Sequence, residues 1–110
     1  MVVDHPHFKS LKDILGRDKL VKVARSYEQD SQAKLIALEQ AVQADDLDDV
    51  THLSHSLKSA SSNLALVSLA SLFAQMEANA SQGQTDALGE LLQAAKAEYP
   101  AALRTLHELL

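Results

Sequence analysis

A chain of 110 residues has room for one core, so a single domain spanning residues 1–110 is expected. Hydrophobic residues make up 46% of it, mostly Leu and Ala, with three Gly and two Pro, which excludes a disordered tail and favours helices throughout. A net charge of −5 argues against nucleic acid as the main partner, and the absence of cysteine excludes disulfides, thiolate zinc sites and cysteine nucleophiles.

Residues 1–6 read as a loose N-terminal tail without the charged start or apolar stretch of a secretory signal. No apolar run approaches the roughly 20 residues that a membrane span needs, so a soluble cytoplasmic protein is the expectation. A short first helix is predicted from Pro6 to Leu15, with Phe8, Leu11 and Leu15 on one face and Gly16 closing it. Asp18 is the predicted N-cap of a long second helix reaching about Ala44. Its apolar face reads Leu20, Val23, Ala24, Tyr27, Leu38, Ala41 and Val42, with Ser31 and Lys34 interrupting it.

The acidic run from Asp45 to Asp49 marks the start of a third helix, since carboxylates in a first turn favour the positive end of the helix dipole. Leu47, Val50, Leu53, Ser54, Leu57, Ala60, Ser61 and Leu64 form its inward stripe, and a break falls at Asn63 to Ala65. A fourth helix is predicted from about Val67 to Ala80, buried through Leu69, Leu72, Phe73, Met76 and Ala80. Ser81 to Thr85 is a loop, and a last helix runs from about Asp86 to the end. The apolar stripe of that helix keeps its phase across Pro100, which predicts one bent helix and not two. The sum is an all-α antiparallel up-and-down four-helix bundle with a short additional N-terminal helix. The apolar stripes can satisfy one another within one bundle, which predicts a monomer.

His55 departs from that stripe. At 100° per residue it points roughly 160° away from the mean direction of the apolar positions, midway along the third helix. Thr51 lies one turn before it, Lys58 and Ser59 one turn after, and Ser62 one turn beyond those. An ordinary solvated face would favour Glu, Lys and Gln over small hydroxyl residues, which are mediocre helix formers. The imidazole therefore stands on a flat, uncrowded surface. A neutral ring nitrogen can attack phosphorus, and Lys58 can steady phosphoryl oxygens as a point charge.

The run His55-Ser56-Leu57-Lys58-Ser59-Ala60-Ser61-Ser62-Asn63-Leu64 resembles the signature of histidine phosphotransfer (HPt) domains, and the later spacing to Leu69, Met76 and Glu77 is similar to that family as well. The resemblance covers about Phe8 to Leu110, with its specific part between His55 and Glu77. It implies a phosphorelay intermediate in two-component signalling, phosphorylated on His55 through Nε2 and lacking ATP-dependent kinase activity of its own. Lys58 would then steady the phosphoryl group, and Glu77 would orient the ring by accepting from Nδ1. Partners would be response-regulator receiver domains and a hybrid sensor histidine kinase. The receiver would dock on Thr51, Lys58, Ser59 and Ser62 and bring its own Mg²⁺, so the chain itself needs no cofactor. Two departures from the family pattern stand out: Ser59 replaces the commoner Gly, and Ala65-Leu66 stands where Gly-Ala is usual. An Ala forced to positive φ there would cost about 1 kcal/mol.

Two other readings compete. A helical adaptor could bind a receiver or kinase without carrying phosphate. His52, His55 and Asp48 could form a loose surface metal site, although ligands from one helix face leave it open and incomplete, so no metal site is assigned. His5 and His7 read as tail residues and His107 as an exposed residue of the last helix.

Overall fold

The computed structural model describes residues 2–110 and is helical nearly throughout. Five helices follow in order: α1 (His5–Leu15), α2 (Arg17–Gln43), α3 (Leu47–Asn63), α4 (Val67–Ser81) and α5 (Leu88–Leu109). The 27 residues of α2 span about 40 Å at the α-helical rise, which accounts for the 41 Å long axis of the molecule. The helices α2 to α5 form the bundle, with the most extensive packing between α3 and α4, and α1 lies against α2. Among the described residues no helix is long and apolar enough to cross a membrane.

The core is one continuous cluster in which Leu20, Leu38, Val50, Leu57, Leu69, Phe73, Met76 and Leu106 are almost completely buried. These residues fall on the predicted stripes. Four expectations need correction. Residues 3–6 are not a loose tail: Val3 is buried, the Asp4 carboxylate caps α1 by accepting from the His7 amide, and the Asp4 amide donates to Ala65 O at 2.9 Å. Met1 lies outside the described residues. Asp18 is not an N-cap. A single residue, Gly16 at φ 78°, separates α1 from α2, so Asp18 already sits in the first turn, where its charge still complements the dipole. Val23 is 43% exposed and faces a groove between α2 and α3.

Ser31 does not interrupt the buried face of α2; it belongs to it. Its hydroxyl lies 2.5 Å from the Tyr99 hydroxyl on α5, and Tyr99 also donates to Glu28 O. One turn away, the Tyr27 and Ser61 hydroxyls pair at 2.9 Å, joining α2 to α3. Burial pushes the Tyr27 phenol up to about 12, so it stays neutral at any physiological pH.

Three helix ends share one device. After α2, α3 and α4 the chain turns through a left-handed residue: Asp45 (φ 52°), Ala65 (φ 60°) and Gly83 (φ 72°). At each, the following amide returns five residues back, as with Leu66 N–H to Ser61 O at 2.9 Å, and the left-handed residue's own amide closes a tighter bond, as with Ala65 N–H to Ser62 O. Glycine is the usual occupant of this position. At Ala65 the backbone penalty of about 1 kcal/mol is opposed by a fully buried methyl worth about 0.8 kcal/mol. Ala65→Gly should therefore shift unfolding stability by less than about 1 kcal/mol, whereas a β-branched Val there should cost at least about 2 kcal/mol. Urea melts of the two variants separate these outcomes, and a Val variant as stable as wild type would show the turn to be unstrained.

Candidate functional site

The phase of α3 is set by Val50, Ser54, Leu57 and Ser61, all buried. That phase leaves the His55 side chain 60% exposed in the middle of the helix, where the sequence places it. On α4, Phe73, Met76 and Ala80 occupy the core, which puts Glu77 at the edge of that helix facing α3. Its carboxylate is shared. Oε2 lies 2.7 Å from His55 Nδ1, and Oε1 accepts from Lys58 Nζ at 2.5 Å.

This geometry fixes the ring. An ionised carboxylate can only accept, so Nδ1 carries the hydrogen and the lone pair is left on Nε2, at the far side of the imidazole. Glu77 is held below the ordinary glutamate value of 4.5, chiefly by the Lys58 ammonium, with burial opposing and His55 assisting. The carboxylate is therefore ionised at neutral pH. Only 22% of the Glu77 side chain is exposed, so water screens the pair less than it would on an open surface.

The residues singled out from the sequence are not equally placed. Ser59 and Ser62 are exposed on the His55 face. Thr51 is half-buried, and its hydroxyl donates to Leu47 O at 2.8 Å, so it offers a methyl and not a donor. Lys58 is engaged with Glu77 and does not stand free beside the ring. Sequence reasoning missed Lys34, treated as a break in an apolar face. Its Nζ donates to the Ser56 hydroxyl at 2.7 Å and pairs with Asp30 at 2.9 Å. The one available signal was a lysine at a position where the stripe of α2 demands burial.

His52 is exposed, and among the described residues no three His, Cys, Asp or Glu side chains group as they would around a metal ion. His107 is exposed on α5, with Nε2 3.0 Å from Glu28. The site can thus present one oriented imidazole nitrogen, backed by an anion and a nearby cation, to a second macromolecule.

Comparison with known proteins agrees with that description. The family model described as the Hpt domain matches residues 22–109. Among solved structures, the chain is similar to histidine-containing phosphotransfer protein B (HptB) from Pseudomonas aeruginosa PAO1. The TM-score is 0.90 at 25% identity, over 97% of this chain and 92% of that one. None of the curated proteins is a match.

Proposed function

This chain belongs to the Hpt domain family, a histidine phosphotransfer intermediate of two-component phosphorelays, and on that premise we propose that His55 is its phosphoacceptor. The observation that carries the assignment is the Nδ1 contact to Glu77, which leaves Nε2 as the exposed nucleophile. In the proposed reaction the Nε2 lone pair attacks the phosphorus of a receiver's aspartyl phosphate. The P–N bond forms as the P–O bond to the carboxylate breaks, and the aspartate leaves with the bonding pair. The ring, still protonated on Nδ1, becomes cationic, and the Glu77 carboxylate opposes that charge. Passing the group to a second aspartate reverses these steps.

Lys58 is the cation closest in sequence to the incoming phosphoryl group. Once the dianion is present it can turn from Glu77 Oε1 toward the phosphoryl oxygens, a change within reach of its flexible stem. Ser59 and Ser62 keep the approach open for the receiver, and Thr51 extends the same surface. The divalent metal is proposed to arrive with the receiver. Hpt proteins are phosphocarriers and not kinases, and here the phosphoryl donor is proposed to be a receiver domain and never ATP itself.

Incubating the protein with a phosphorylated receiver tests this. The expected product is a phosphoprotein that is acid-labile and base-stable, the signature of a P–N bond, with the label mapped to the peptide carrying His55. Stable receiver binding with no such product would instead favour a helical adaptor.

A further inference from the structure

The antiparallel seam between α2 and α3 can be followed residue by residue toward His55. Tyr27 meets Ser61 across it, and about two turns further along α2, Lys34 meets Ser56. An open groove of about 550 Å³ runs along this seam and past the Tyr27–Ser61 contact, walled by Val23, Asp30 and Ala33 on one side and by Ala60 and Asn63 on the other. Its small side chains stop at the Lys34–Ser56 contact. Lys34 therefore stands where the groove ends and the His55 surface begins, since Ser56 directly follows His55 on α3.

His55 thus has a lysine contributed on its α4 side and another on its α2 side, and the two are held differently. Lys58 pairs with Glu77, a largely shielded carboxylate that His55 also holds. Lys34 pairs with Asp30, whose side chain is 65% exposed, one turn away on the same helix. An exposed pair of that kind is weak and exchanges its partner readily. The Ser56 hydroxyl meanwhile keeps Nζ at the groove end. In a chain of net charge −5, this contact brings a cation to the residue next to the acceptor histidine, and the cation becomes available to a partner when Asp30 lets go.

We infer that Lys34 is a specificity-determining residue that reads an acidic group on the receiver docked over His55, exchanging Asp30 for the partner's carboxylate. The inference rests on the phosphocarrier reading above. It assigns Lys34 to recognition, while Lys58 and Glu77 serve the transferred group.

Initial rates of phosphotransfer, measured over a range of receiver and salt concentrations, test it together with receiver binding measured without transfer. Lys34→Gln keeps a donor for Ser56 but removes the charge. It should raise the receiver concentration at half-maximal rate about three- to tenfold, flatten the salt dependence and leave the saturating rate unchanged. Lys34→Arg should restore most of the affinity. Ser56→Ala, which frees the lysine without removing it, should weaken binding by less. Wild-type affinity and salt dependence in Lys34→Gln would overturn the inference, as would a loss confined to the saturating rate. If Lys34→Gln fails to fold, unchanged binding in Ser56→Ala overturns it instead. Wild type that binds a receiver but takes up no phosphoryl group would defeat the phosphocarrier reading alone, and the binding data would still decide for Lys34.

Discussion

His55→Gln should fold as wild type does and take up no phosphoryl group from a receiver that loads the wild-type protein. The two halves of this expectation have separate causes. With 60% of its side chain exposed, His55 contributes little to the core, and glutamine is a good helix former that can still donate to Glu77. The change in unfolding free energy should stay within about 0.5 kcal/mol, as for exposed positions generally. Phosphoryl uptake disappears because an amide nitrogen has no lone pair available for attack on phosphorus. His52 and His107 remain exposed in the variant, so it also reports whether exposure alone suffices. Residual acid-labile phosphate in His55→Gln would move the acceptor elsewhere.

Glu77→Ala should slow transfer by about 10- to 100-fold without abolishing it. The alanine leaves Nδ1 with no acceptor, so the ring samples both tautomers and several orientations, and misplacement of a nucleophile by about 1 Å can cost 100-fold. It also releases Lys58 and removes the anion that opposes the cationic phosphorylated ring. Glu77→Gln should fall between the two, because an amide oxygen can still accept from Nδ1 without supplying charge. A Glu77→Ala variant as fast as wild type would leave the carboxylate no part in the chemistry. Glu77 also links folding to pH. Its folded-state value lies below the ordinary 4.5, so the unfolded chain binds the proton more tightly. The stability contributed by the pair is therefore present above the unfolded value and is lost as pH falls through the lower, folded one. Acid unfolding of Glu77→Gln should lack this contribution, and the stability difference from wild type should narrow as the pH drops below about 4.

Helical periodicity made some of this readable and left the rest invisible for a definite reason. The stripe from Val50 to Leu64 fixes the rotation of α3, and rotation alone decides that His55 faces outward. Contacts between helices depend also on how far each is slid along its neighbour, which the pattern within one helix does not encode. Ser31 therefore reads as an interruption until Tyr99 is found opposite it. Lys34 likewise reads as a flaw until Ser56 is found within reach. Glu77 could be placed beside His55 only through the family resemblance, and the grip of that carboxylate on Lys58 was not foreseen. Helix ends follow the same division. Gly83 announces its left-handed turn through its residue type, and the departure at Ala65 raised the question there. Asp45, within an acidic run that reads as a helix start, concealed another.

The caps at one end of the bundle carry a consequence for the whole molecule. Asp4 is bonded to the α3–α4 turn through Ala65, and Arg17 Nε donates to Leu110 O at 2.9 Å, so both chain ends lie at the same pole. His55 stands ten residues back along α3, about 15 Å from that pole at the helical rise. Any flanking polypeptide would therefore be tethered at one tip, leaving the flank with the imidazole clear.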